Sequence, residues 1–184
     1  MTRSLLFAAV TMAAIPFLAA PVAADEPAVG AVKTGMAVGQ QAPDFKIKDS
    51  AGKLIDLAEL SAEGPVLVRL TCGCSGCDKE LGYFQALHEA YKGKGLTSVA
   101  VFKEPDAKVE TYVKEKKLNM LYAVDTDGKS WDIFQTKTMP TNFLIEKGGK
   151  IRRIAAGCDP SGLIAQSLAK EAAKLVGEPK AEAK

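Results

Sequence analysis

Val66-Leu67-Val68-Arg69-Leu70-Thr71-Cys72-Gly73-Cys74-Ser75-Gly76-Cys77 holds three of the chain's four cysteines and decides the reading of everything around it. Pro65 opens an apolar run, Val66 to Leu70, interrupted only by Arg69. Such a run suits a strand buried on both faces of a parallel sheet. Beyond the cysteines, Leu81, Phe84, Leu87, His88 and Tyr91 recur at helical spacing, which predicts a helix over about 77–91. Cys74-Ser75-Gly76-Cys77 is therefore a C-x-x-C set where a strand turns into a helix. Two intervening residues let the sulfurs meet across one helical turn. The first cysteine then lies at the helix N-terminus, where unpaired N–H groups and the positive dipole end stabilise a thiolate. A static disulfide would satisfy the spacing too, but the β–α setting favours redox or metal chemistry.

Outward from this segment the chain alternates strand and helix. Phe45–Ile47 and Leu54–Leu57 flank the turn cluster 49–53 and predict a hairpin. Strands are expected at 96–102, 120–124, 141–145 and 150–155, the last two joined by Glu146-Lys147-Gly148-Gly149. Helices are expected at 106–117 and 160–175, with a helical turn at 130–134. In the last helix Leu163, Ile164, Leu168, Ala172 and Leu175 share a face, and Asp159 or Ser161 can cap it. The order implies an α/β fold: a mixed sheet flanked by helices, with an N-terminal β-hairpin extension.

Residues 1–24 read as a signal peptide. Arg3 supplies a positive start, an apolar stretch follows, and Val22-Ala23-Ala24 offers a cleavage point before Asp25. Residues 25–37 read as a linker, 38–176 as the domain, and 177–184 as a disordered polar tail. No other run is long enough to span a membrane, so no membrane span is expected after cleavage. The expected location is periplasmic or secreted, a space that permits disulfides.

Composition narrows the chemistry. Of 184 residues 47% are hydrophobic, and 24 Lys+Arg against 22 Asp+Glu leave a net charge of +2, with no basic stripe to mark a nucleic-acid partner. There is no glycine-rich phosphate loop. The single histidine, His88, disfavours His-based metal sites and Ser-His-Asp or Cys-His catalysis. The cysteines remain.

Several stretches now carry a resemblance. Val38-Gly39-Gln40-Gln41-Ala42-Pro43-Asp44-Phe45 resembles a "VGxxAPDF" opening, and residues 49–60 a "DxxGKxxxLxxL" continuation. Cys74 to Leu81 resembles a C-x-x-C with a charged helix start, and Thr138-Met139-Pro140-Thr141 an X-Pro-T strand entry. Together they are similar to the extracytoplasmic thioredoxin-like proteins of the redoxin group, thiol–disulfide oxidoreductases that overlap with peroxiredoxin-like sequences. The resemblance implies a thioredoxin-like fold. It implies that Cys74 is the attacking thiolate, Cys77 the resolving thiol, and the Met139–Pro140 bond cis and close to the sulfurs, with Met139 offering backbone groups to a partner. It also implies disulfide- or thiol-bearing partner proteins, an electron-donating redox protein and no cofactor.

The chain departs from that pattern where Gly73 replaces the usual aromatic before the first cysteine. Cys72 then offers a C-x-C pair with Cys74, and Cys158 should return to the same place at the end of the strand 150–155. Cys72 and Cys158 are thus candidates for additional redox work. The alternative is a Cu or Zn site of Cys72, Cys74, Cys77 and Cys158, although the spacing is not that of a common zinc finger. A thiol peroxidase is a further alternative, with Thr71 three before Cys74 but Pro65 out of register. Arg69 is read as lying at an uncovered sheet edge beside Asp44 or Glu80, Glu80 as solvated, and His88 as partly exposed. Trp131 and Phe134 are read as packing.

Overall fold

The computed structural model describes residues 34–177. The signal-peptide and tail readings lie outside the described residues. Strands β1 (Lys46–Lys48) and β2 (Leu54–Asp56) pair antiparallel across the turn 49–53, where the Asp49 carboxylate accepts the Ala51 and Lys53 N–H groups. A short helix, α1 (Leu57–Glu63), follows at once. Asp56 caps it by accepting the Ala58 N–H at 2.9 Å. This helix was not expected: at seven residues it is too brief for a periodic signal, and its capping aspartate also reads as strand.

The central sheet has the order β5-β4-β3-β6-β7, built from β3 (Val66–Thr71), β4 (Thr97–Phe102), β5 (Leu121–Val124), β6 (Thr141–Ile145) and β7 (Ile151–Ala156). β3 lies parallel to β4 and antiparallel to β6, so it is the middle strand and its six residues are all buried. The expected double-sided burial therefore holds. Alternation then sorts its side chains. Val66, Val68 and Leu70 join Phe45, Trp131 and Phe134 on one face. Leu67 packs on the other with Phe84, Leu87 and Leu168. That second face carries α2 (Ser75–Lys92), α3 (Asp106–Lys116) and α5 (Leu163–Val176), while α4 (Lys129–Ile133) supplies Trp131 to the first. Each buried Val, Leu or Phe contributes roughly 1.5–3 kcal/mol, so the alternation alone strongly prefers this register. Thr34 to Ala37, the described end of the linker, lies along residues 134–136, with the Gly35 N–H donating to the Gln135 carbonyl.

Four side chains correct the sequence reading. Arg69 is not at a sheet edge; it stands in the central strand at 2% exposure, facing α2. Glu80 is not solvated but 1% exposed, and the two pair at 2.7 Å. His88 is buried rather than partly exposed, and burial pushes its imidazole below the ordinary histidine range. In α5, Leu163 is exposed and does not share the inner face of Ile164 and Leu168.

Candidate active site: four cysteines at the end of the central strand

β3 ends at Thr71, and Cys72 and Gly73 turn the chain into α2. Cys74 is the N-cap residue, extended at φ −74° and ψ 159°, with the helix starting at Ser75. The placement makes Cys74 exposed and carries Cys77, one turn on, to 2% exposure beneath it. Cys72 is half-buried beside both. Its Sγ lies 2.7 Å from Cys74 Sγ and 3.2 Å from Cys77 Sγ, and the three sulfurs lie within 4.8 Å of one another. All four cysteines are free thiols.

These contacts split the thiols electrostatically. Cys74 is held below the ordinary thiol range, first by the hydrogen bond from Cys72 and then by the amides of Cys77 and Gly76 at the helix start. Cys72 is pushed far up, chiefly by burial and then by its bond to Cys74. Cys158 is pushed up to about 11 by burial and by the charges of Cys77 and Glu80. The exposed sulfur at the helix N-terminus thus gives up its proton more readily than Cys72 or Cys158. That is the distribution an attacking thiolate requires.

Cys158 does return to the cluster. A Cβ placed on Gly76 would lie 3.2 Å from Cys158 Sγ and 4.0 Å from Cys74 Sγ, so the glycine leaves room for both sulfurs. The loop carrying Cys158 is tied down on two sides. The Gly157 N–H donates to the Pro140 carbonyl at 2.9 Å, and the Asp159 N–H donates to Glu80 Oε1. The Met139–Pro140 peptide is cis, as the resemblance implied, with Pro140 buried and Met139 half-buried. Pro140 and Cys158 are therefore neighbours through one backbone hydrogen bond, and Cys158 in turn adjoins Gly76 between the two C-x-x-C cysteines.

Glu80 explains why a charge is buried under this loop. Its Oε2 takes the Arg69 guanidinium, which also donates to Asn142 Oδ1 at 2.9 Å and stacks 3.9 Å above the Phe84 ring. Asn142 is the register partner of Arg69 and donates onward to the Ala155 carbonyl. The chain of bonds runs from β7 through β6 and β3 to α2, and ends on the backbone next to Cys158. Buried polar groups that are all paired fix one arrangement strongly.

Sequence reading missed the residues that hold the turn from the other side. Glu104 Oε1 accepts the Gly73 N–H at 2.7 Å, and the Tyr112 ring lies against Gly73. Tyr112 donates to Asp78, which also pairs with Lys116 at 2.9 Å. No local signal announces Glu104; it follows β4 and meets Gly73 only through the parallel pairing of β3 and β4. Thr71, the residue the peroxidase alternative needs, turns its hydroxyl to the Cys72 carbonyl at 3.4 Å.

Residues 38–154 match the model of the AhpC/TSA family. The thiol-disulfide oxidoreductase ResA of Bacillus subtilis (strain 168) is 31% identical over 138 residues, 74% of this chain and 77% of that protein. ResA of Bacillus anthracis is 34% identical over 120 residues, 65% of this chain and 69% of that protein. Among solved structures, a putative thiol:disulfide interchange protein DsbE from Chlorobium tepidum superposes with a TM-score of 0.70 at 23% identity, over 77% of this chain and 99% of that one. The last likeness carries the thioredoxin-like fold. The matched span runs from the VGxxAPDF opening past the cysteines and the cis-proline into β7, and on that span the chain belongs to the AhpC/TSA family.

Proposed function

We propose that this protein is a thiol–disulfide oxidoreductase of an extracytoplasmic compartment, periplasmic or secreted, acting on disulfide- or thiol-bearing proteins. The observation that carries this reading is the exposed Cys74 at the start of α2, directly over the buried Cys77. The relatives named thiol-disulfide oxidoreductase support it. The leader-like residues 1–24 support the compartment. Among the described residues no helix is long and apolar enough to cross a membrane.

In the reductive direction the Cys74 thiolate attacks one sulfur of a partner disulfide. A Cys74–partner disulfide forms and the other partner sulfur leaves as a thiolate, which takes a proton. Cys77 then loses its proton and attacks Cys74 Sγ, forming the Cys74–Cys77 disulfide and releasing the second partner thiol. The partner gains two electrons and this protein loses them. A reduced redox protein restores the dithiol by the same steps in reverse. Cys72 serves Cys74 as hydrogen-bond donor, and the segment Met139–Pro140 forms the platform for the incoming chain. Cys158, beside Gly76, is a further thiol within reach of the pair.

The test is a trap. In a Cys77→Ser chain whose Cys72 and Cys158 are also replaced by serine, the mixed disulfide has no resolving thiol, so a stable adduct with a disulfide-bearing protein should accumulate and be released by dithiothreitol. Cys74→Ser should form none. An adduct that persists in Cys74→Ser would refute the assignment of the nucleophile.

A further inference from the structure

We propose that, in the reduced protein, Cys72, Cys74 and Cys77 form a three-coordinate thiolate site for a soft monovalent cation, Cu(I). This does not rest on the exchange reaction, although it uses two of the same sulfurs.

One six-residue segment brings three sulfurs to one point, within 4.8 Å of one another. A metal–thiolate bond of about 2.3 Å in trigonal geometry sets its sulfurs about 4 Å apart. The Cys72–Cys77 and Cys72–Cys74 separations of 3.2 and 2.7 Å thus need to open by roughly 1 Å. The exposed Cys74 and half-buried Cys72 have that freedom, while the buried Cys77 gives the site a fixed floor. The turn between Cys72 and Cys74 is held independently, because the Gly73 N–H is bound by Glu104. A supporting group of this kind orients metal ligands.

The donor set selects the ion. Thiolates alone, without imidazole or carboxylate, favour soft ions, Cu(I) and zinc among them, and the number of donors then decides. Structural zinc takes four tetrahedral ligands. Cys158 touches the cluster across Gly76 but stands outside the group of three mutually close sulfurs. Three mutually close donors suit three-coordinate Cu(I), whereas tetrahedral zinc would also have to draw Cys158 in. Binding displaces the thiol protons to solvent. Oxidation to the Cys74–Cys77 disulfide removes two of the three ligands, so the site exists only in the dithiol form.

The test uses the reduced full chain under anaerobic conditions, titrated with Cu(I) presented as its bicinchoninate complex. The expected result is transfer of one equivalent per chain, with one cysteine of the four still open to alkylation and identified by peptide mass spectrometry as Cys158. That readout needs no variant and is therefore safe from folding defects. Cys158→Ser should take up Cu(I) as the unaltered chain does. Cys72→Ser should bind more weakly, by at least the roughly 10- to 100-fold that follows loss of a mere supporting group. The proposal is overturned if the indicator keeps its Cu(I), or if Cys158 is protected together with the other three. Failure here leaves the mixed-disulfide trap unaffected, so the two readings stand or fall separately.

Discussion

The Cys72 thiol donates to the Cys74 sulfur across 2.7 Å, from a position two residues upstream in the turn that ends β3. This contact is the main reason that the Cys74 proton is held loosely. It stands beside Gly73, whose N–H is held by Glu104. Cys72→Ala removes the donor, so the Cys74 titration midpoint should move up toward that of an ordinary thiol. Cys72→Ser keeps a donor and should move it less. The check is the rate of iodoacetamide alkylation at Cys74 against pH, in metal-free reduced protein. For the unaltered chain, alkylation should stay fast well below the pH at which a free cysteine slows, because a depressed midpoint preserves the thiolate as pH falls. An unchanged profile in Cys72→Ala would remove the role given to Cys72.

The Arg69–Glu80 pair makes a stability prediction with a sign that depends on how it is broken. Both side chains are at most 3% exposed. Glu80→Ala leaves a buried guanidinium without its carboxylate and should cost about 3–5 kcal/mol in urea denaturation. Replacing both, as Arg69→Met with Glu80→Leu, removes the two charges together and should cost much less. The double variant also loses the acceptor for the Asp159 N–H. Cys158 should therefore become more reactive toward alkylation in both variants.

Two glycines separate crowding from conformational freedom. An added Cβ at Gly64 would strike the Gly95 carbonyl oxygen, whereas one at Gly82, inside α2, meets open space. Gly64→Ala should destabilise by about 1–3 kcal/mol. Gly82→Ala should stabilise by roughly 0.5–1 kcal/mol, the cost of a glycine within a helix. Thermal unfolding of both variants tests the packing of α1 against the β4 entry without touching the cysteines.

Residues 1–24 carry their own prediction. Protein recovered from an extracytoplasmic fraction should begin at Asp25 by intact-mass analysis, and a chain retaining Met1 there would contradict the leader reading.

Much of this was legible in the sequence. The Val66–Leu70 run identified the central strand, and the C-x-x-C after it placed the site, because burial and helix-start chemistry both leave local patterns. The return of Cys158 was legible too, since the antiparallel pairing of β6 and β7 dictates where β7 ends. The burial of Arg69 and Glu80 was not. A charge in an apolar run reads as an edge; Glu80 was one of two partners open to Arg69 from the sequence, and only the contact of α2 with β3 selects it and buries both. Glu104 was invisible for a similar reason: its target is a backbone N–H that becomes its neighbour only once β3 and β4 lie parallel.

The central claim is that Cys74 and Cys77 are the pair that cycles. Disulfide mapping by peptide mass spectrometry, on full chain equilibrated in a series of glutathione redox buffers, tests it most directly. The account predicts that a single Cys74–Cys77 link appears first as the buffer becomes oxidising, while Cys72 and Cys158 remain alkylatable. A first link between Cys72 and Cys158, or no intramolecular link at any poise, would contradict it.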